Sequence, residues 1–345
     1  MVIKKKIFFN KNILITGNTG FIGSWISMYL FELGAKLFCI SKDKKKNYIS
    51  NTKQYKKNIK TYFINLKNIN KIQHKIKAFK PEILIHLASQ PLVIKSYKKP
   101  IETFETNIMG SVKLYEIVKK IDTIKKILIF TSDKVYKYSK KKLDEKDHLG
   151  GNDPYGASKS CQDILSSVYA NNFFDKKKTI ILRAGNIIGG SDFSKDRIIA
   201  DIFKSIKQKK ILKIRNLNAI RPWQNIFDIV KVILEILKTK QKEKLTIFNV
   251  ATKTKKNYKV KDIIKEIKKN LYLKYNLKKS KYKENNFLSL NTKKIFLKYP
   301  NLRFMNFKKN IKLTLLWYYN CYLINKNLNM YEYSKKQIKD YLNAN

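Results

Sequence analysis

Tyr155 and Lys159 stand four residues apart at the head of a helical stretch, so their side chains share one face. A phenol with an ordinary pKa of about 10 is a poor base at neutral pH. A neighbouring ammonium favours the phenolate, and the same lysine can hold a nicotinamide ribose, a pairing suited to hydride transfer from an alcohol. Spacing alone decides nothing here, because 21 tyrosines among seventy lysines produce seven Tyr-x-x-x-Lys matches. Only the match at 155 follows a strand ending in the small polar run Thr131-Ser132-Asp133, with Pro154 before it and Ala157-Ser158 inside it.

A second chemical signal lies near the start of the chain. The apolar run 12–16 feeds into Gly17-Asn18-Thr19-Gly20-Phe21-Ile22-Gly23 and then a helical pattern. A turn without Cβ atoms lets backbone N–H groups and a helix N-terminus approach a pyrophosphate. An acid about 20 residues further on is expected at the ribose hydroxyls. Asp43 is close to that spacing, flanked by Lys42 and Lys44, which could instead meet a 2′-phosphate. All three could equally be solvated loop charges. NAD is favoured over NADP.

These residues need a scaffold, and hydrophobic periodicity predicts one. Strands are expected over 12–16, 36–41, 61–65, 83–86, 127–131, 179–183 and 246–250. Helices fit between them over 21–33, 69–79, 101–121, 155–173 and 227–238. That alternation implies an α/β fold, a doubly wound parallel Rossmann-type sheet covered on both faces. After Arg183 the alternation weakens, which suggests a smaller mixed α/β substrate-binding domain. The expected division gives residues 1–185 and 225–251 to the dinucleotide, and 186–224 with 252–345 to the substrate.

The net charge of +50 comes almost wholly from lysine, dispersed from end to end; arginine occurs five times. Dispersed lysine argues against a specific nucleic-acid surface, since base and phosphate readers favour clustered arginine. Four of the arginines, Arg183, Arg197, Arg215 and Arg221, fall within one stretch, which marks it as a place where chemistry is to be sought. Cys39, Cys161 and Cys321 are far apart and odd in number, so neither a disulfide framework nor a metal site is expected. No apolar run reaches the ~18 residues of a membrane span. A cytoplasmic protein without a membrane partner is expected.

Together several segments resemble the extended short-chain dehydrogenase/reductase family that acts on nucleotide sugars. They are the loop Gly17–Gly23, the run His86-Leu87-Ala88-Ser89-Gln90-Pro91, the run Thr106-Asn107-Ile108-Met109-Gly110 and the Tyr155/Lys159 pair. Further segments are similar to its CDP-glucose 4,6-dehydratases: Thr131 to Tyr136, Gly150 to Tyr155, Arg183 to Gly190, and Arg221-Pro222-Trp223-Gln224. Trp317-Tyr318-Tyr319, Gln337 and Tyr341 fit as well.

The resemblance implies that Ser132, Tyr155 and Lys159 oxidise C4, while Asp133 and Lys134 handle the elimination. It implies NAD contacts at Gly17, Gly20, Phe21, Ile22, Gly23, Asp43, Asn65, Leu66, Leu87, Ala88, Gln90, Asn107, Tyr155 and Lys159. Gln90, Asn186, Arg197, Arg215 and Arg221 are implied at the nucleotide sugar. The implied reaction converts CDP-glucose to CDP-4-keto-6-deoxyglucose, with hydride taken from C4, water lost from C5 and C6, and hydride returned to C6. Lys134 is left either as a base made neutral by desolvation or as a charged stabiliser of the enolate. A homodimer through the helices at 101–121 and 155–173 and a place in surface-polysaccharide synthesis are implied likewise. Asn65 stands where the family has an adenine-contacting acid, Ser89 replaces an alanine, and Asn225 replaces a histidine. A nucleotide-sugar 4-epimerase is the alternative, needing no Asp133-Lys134 pair. A basic nucleic-acid-binding or scaffold protein without catalysis is the third reading.

Overall fold

Strands buried on both faces have no polar side to give to water, so their apolar runs gather in the middle of a parallel sheet. The computed structural model describes residues 7–43, 47–253, 256–278, 281–282, 284–324 and 328–344. Its main sheet has seven strands: β1 (Asn12–Thr16), β2 (Lys36–Ser41), β3 (Thr61–Phe63), β4 (Ile83–His86), β5 (Lys126–Phe130), β6 (Lys178–Ala184) and β7 (Leu245–Val250). Their order is β7-β6-β5-β4-β1-β2-β3, every neighbouring pair parallel. The winding reverses at β1, where Thr16 is in register with Ile40 on one side and His86 on the other. A crevice opens beyond the carboxyl ends of strands at such a reversal.

Side chains alternate between two layers along each strand. Ile13, Ile15, Ile85 and Leu128 join one core with Trp25 and Ile233, while Leu14, Leu84, Ile127 and Ile129 join the other with Leu114 and Ile117. The covering helices used below are α1 (Phe21–Glu32), α2 (Gln73–Phe79), α3 (Gly110–Val118), α4 (Pro154–Asn172), α5 (Ile198–Lys207), α6 (Ile226–Lys238), α7 (Phe307–Tyr319) and α8 (Met330–Asn343).

Two expected helices differ in the structure. The run 69–79 divides into a 3-10 segment, Leu66–Ile72, and α2. Asn65 accepts a bond from Lys67 N, and Asn68 leaves helical geometry at φ −113°, so short amide side chains compete with the helix ladder. The run 101–121 begins at Pro100, passes through a π turn at Glu105–Met109, and becomes α3 only at Gly110. A Cβ at Gly110 would lie 3.0 Å from Leu66 Cβ, so that helix packs closely on the 3-10 segment.

Beyond β6 the chain forms two small parallel ladders, Ile187–Ile188 with Gln224–Asn225 and Leu212–Ile214 with Tyr275–Leu277. The last helices return to the sheet layer. Tyr331 donates to Glu32 of α1, and Tyr341 donates to the buried Asp228 of α6. Asn225 caps α6 through Phe227 N at 2.9 Å and donates to Asn310 of α7 at 2.8 Å, a structural use for that amide. No helix among the described residues is long and apolar enough to cross a membrane.

Candidate active site

The glycine loop is built by steric exclusion. Gly17 has φ +81°, and a Cβ there would lie 2.7 Å from Ala88 N. A Cβ at Gly23 would lie 2.1 Å from Gly17 O, so only glycine lets α1 start this close to β1. Gly20 is the N-cap and offers no side chain to the first turn of α1. The helix therefore presents its N-terminal dipole to the cavity lined by Gly17, Gly20, Phe21, Ile22 and Gly23.

Beside the loop, a cavity of 270 Å³ is lined by Asp43, Asn65, Leu66, Ala88 and Gln90, among others. Asp43 is exposed, and its carbonyl accepts from Thr19 Oγ1 at 3.2 Å. Lys42 is tied to Glu102 at 3.0 Å, which Lys95 also grips at 2.9 Å. The hydrogen bonds from Lys95 and Lys42 hold that carboxyl down at about 2. Lys44 lies outside the described residues.

Two expected contacts take a different form. The Gln90 amide is engaged in its own loop, donating to Leu92 O and Thr103 Oγ1 and accepting from Leu92 N. Asn107 is fully buried and borders neither cavity. Its Oδ1 accepts from Gln90 N at 2.7 Å, and its Nδ2 donates to Ser158 Oγ at 2.8 Å. Asn107 is thus a brace between the β4 loop and α4, because the π turn carries it beneath the loop.

The cavity that the glycine loop borders has a volume of 530 Å³ and is also lined by Leu87, Ala88, Ser132, Asp133, Lys134, Tyr155, Lys159, Asn186, Arg197, Arg215 and Arg221, among others. Ser132 follows β5 and bonds Asp133 Oδ1 at 3.1 Å. Burial pushes the Tyr155 phenol up to about 12, although its hydrogen bond with Ser132 pulls the other way. Burial pushes Lys159 down to about 7, opposed by Asp163. The Asp133 carboxyl is raised by burial, with Lys134, Arg221 and Ser132 opposing. Its Oδ2 is buried without a hydrogen-bond partner. A raised carboxyl with a free oxygen beside a cavity is suited to donating a proton.

Lys134 has a buried counter-charge. Of the two roles left open for it, the surroundings favour the charged stabiliser, because its Nζ lies 2.9 Å from Asp153 Oδ2, with both side chains buried. The local reason is helix capping: Asp153 accepts from Gly156 N at 2.8 Å, and Pro154 follows at the first helical position. A cap aspartate beside a lysine supplies a counter-charge that sequence distance concealed.

Among the arginines, Arg215 meets Glu284 at 3.1 Å and Asp196 at 3.3 Å, and Arg197 meets Asp192 at 3.2 Å. Arg221 is buried, 4.0 Å from Glu284, and its guanidinium also feels Asp133. Arg183 turns inward instead. It makes a bidentate pair with Asp163 at 2.9 and 2.6 Å and lies over the Tyr136 ring. Sequence reasoning missed Asp153, Asp201, Tyr282 and Glu284. Only Asp153 carried a signal, the Asp-Pro pair that opens a helix. Among the described residues no group of three or more His, Cys, Asp or Glu is placed to hold a metal ion.

Residues 14–304 match the family model described as GDP-mannose 4,6 dehydratase. The chain is 37% identical over 237 residues to the CDP-glucose 4,6-dehydratase of Salmonella typhimurium, covering 66% of each chain. It is 31% identical to the dTDP-D-glucose 4,6-dehydratase of Dictyostelium discoideum, over 60% of this chain and 50% of that one. These matches therefore span between half and just under two thirds of the relatives' own lengths. The structure of a dTDP-glucose 4,6-dehydratase from Bacillus anthracis in complex with NAD superposes with a TM-score of 0.74 at 20% identity, covering 90% of this chain and 97% of that one. A UDP-glucose 4-epimerase with UDP-glucose from Thermotoga maritima gives 0.78 at 21% identity, covering 91% and 100%. A glycine cradle at the β1 reversal, a Tyr155/Lys159 pair across from it and a sequence match over most of the chain agree. The chain belongs to the GDP-mannose 4,6-dehydratase family.

Proposed function

We propose that the protein is an NAD-dependent hydro-lyase converting CDP-glucose to CDP-4-keto-6-deoxyglucose. The observation that carries the dehydration is the buried Asp133 carboxyl, raised by burial and with one oxygen unpartnered, in the same cavity as Tyr155 and Lys159. A 4-epimerase has no departing hydroxyl for such an acid to protonate. The resemblance to the Salmonella typhimurium protein supports CDP-glucose as the substrate.

NAD fits the loop on steric and electrostatic grounds, since Gly17 and Gly23 admit no Cβ and α1 begins without a side-chain cap. When bound, NAD supplies a hydride acceptor for C4 and later the hydride for C6. Tyr155, paired with Ser132, takes the proton of the C4 hydroxyl, and the Lys159 ammonium favours its phenolate. The resulting ketone acidifies the C5 proton, which water in the cavity accepts and which is replaced at C5 when hydride returns to C6. Lys134, charge-matched by Asp153, stabilises the enolate electrostatically. Asp133 gives its proton to the C6 hydroxyl, which leaves as water. Arg197, Arg215 and Arg221 lie where a diphosphate can take their planar donors. In this reading residues 1–185 and 225–251 hold the dinucleotide, while 186–224 and 252–345 supply the sugar side, with α7 and α8 leaning on α1 and α6.

A homodimer is part of the same proposal. Ile101, Met109, Ile164, Val168 and Phe173 are exposed apolar side chains on the segment 100–109 and on α4 with the residue that follows it. The test is incubation of purified protein with CDP-, dTDP- and UDP-glucose and GDP-mannose, followed by alkali-induced absorbance and mass spectrometry. The expected result is loss of one water from CDP-glucose. A C4-epimerised hexose without loss of water would overturn the proposal.

A further inference from the structure

Lys159 ends in three N–H donors, and the protein accepts two of them. One goes to Phe130 O at 3.1 Å, the other to Gln162 Oε1 at 2.8 Å. The third is the one a ligand in the cavity can accept. An ammonium accepts nothing, so the Gln162 oxygen must face it and the amide nitrogen must face away. That nitrogen lies 3.1 Å from His86 Nε2 and 3.0 Å from Ser111 Oγ.

His86 Nε2 also lies 3.0 Å from Ser111 Oγ, but a proton on Nε2 would set two N–H donors 3.1 Å apart, so the arrangement without a donor–donor clash has Nε2 accepting from the amide and the imidazole proton on Nδ1. Nδ1 then donates to Thr16 Oγ1 at 2.7 Å. Ser111 Oγ donates its hydroxyl hydrogen bond to Asn107 O at 2.7 Å. Every one of these side chains is buried. The chain of bonds therefore has one consistent orientation, running from Thr16, the residue before the glycine loop, through β4 to the lysine on α4. A reversed Gln162 amide would put donors against the ammonium and leave His86 with nothing to accept from it.

We propose that Gln162, locked by neutral His86, is a positioning residue that fixes the Lys159 ammonium toward the nicotinamide ribose of the cofactor. The proposal rests on the reading that Lys159 serves NAD and Tyr155. It adds a residue three positions along the same helix that catalytic spacing does not single out. The charged and titratable neighbours are few. Asp163 favours the ammonium from the same helix, and Tyr155 shares that helix. His86 faces it from β4, with Tyr115 of α3 edge-on to the imidazole, and Asp133 and Lys134 line the same cavity beyond β5. Among these, Gln162 is the hydrogen-bonded side chain at Nζ that a neutral-to-charged exchange can test.

The experiment measures NAD affinity by calorimetry as a function of pH, with melting temperature as the check on folding. Gln162→Leu should weaken NAD binding by roughly tenfold, the effect of losing one charge-assisted bond. Its loss of affinity with rising pH should begin at lower pH than in the wild type. Gln162→Glu keeps the acceptor and adds a charge, so it should retain affinity and move that loss to higher pH. His86→Phe should behave as Gln162→Leu, and the pair should not be additive. A purely structural role for Gln162 lowers the melting temperature and leaves the pH dependence in place. Wild-type pH dependence in folded Gln162→Leu and Gln162→Glu, with Lys159→Met defective in NAD binding, would overturn this proposal alone. NAD binding and reduction intact in Lys159→Met would overturn it together with the catalytic reading.

Discussion

Lys134 Nζ lies 2.9 Å from Asp153 Oδ2, and the other oxygen of the same carboxylate caps α4. One side chain thus starts the helix that carries Tyr155 and matches the charge of Lys134, the residue proposed to stabilise the enolate. Asparagine caps helices as well as aspartate does, so Asp153→Asn tests the charge alone. It leaves a buried ammonium without its counter-ion, at a cost of about 3 kcal/mol. The expected outcome is a lower melting temperature, retained C4 oxidation seen as transient NADH, and slowed formation of 6-deoxy product. Lys134→Ala and Asp133→Asn should likewise accumulate NADH. Near wild-type dehydration in both would remove the pair from the mechanism.

The cofactor loop makes a steric prediction. Gly23→Ala places a methyl group 2.1 Å from Gly17 O, so the first turn of α1 must move. Overpacking of this kind costs about 1–3 kcal/mol. NAD affinity should fall at least as sharply as stability, because the displaced atoms are the cradle itself. Calorimetric titration of the folded variant checks it, and an unchanged Kd would count against the cradle.

His86 sets a pH dependence of stability whose sign can be worked out. Burial, aided by Lys159, pushes the folded imidazole down to about 3, while an unfolded histidine titrates at about 6.5. Its contribution is complete above the unfolded value and is lost as pH falls toward the folded one, by about 1.4 kcal/mol per pH unit. Asp228 and Asp201, pushed up to about 7 and about 6 by burial, act with the opposite sign as pH rises through the same window. The readout is therefore the difference between wild type and His86→Gln in melting temperature across that window. The wild type should lose more stability on acidification than the variant.

The exposed apolar side chains of α4 predict an assembly. Ile164→Asp with Val168→Asp places two charges on side chains that are about half exposed in the single chain, 49% and 43%. Light scattering should then report a monomer where the wild type is a dimer, with the melting temperature of the monomer little changed. A wild-type monomer at micromolar concentration would end the proposal of a homodimer.

Much of the scaffold was legible because its signals are local. The apolar runs at 12–16 and 83–86 read as strands, and Gly17, Gly20 and Gly23 at a strand end read as a close turn before a helix. Tyr155 was separated from six other tyrosine-lysine matches by its neighbours, Pro154 and the small residues that follow. Charge balance was not legible, since it depends on which groups meet across the fold. Sequence spacing put Lys134 beside Asp133, but the tertiary structure gave it to Asp153, nineteen residues away. Asn107 looked like a cofactor contact, and a π turn placed it under the loop as a brace. Gln162 and His86 are 76 positions apart and carry no joint signal in the sequence. Periodicity and glycine geometry act over a few residues, so the chain itself determined the sheet and the loop. The partners of buried polar groups are chosen by packing between distant segments, and only the folded molecule decided them.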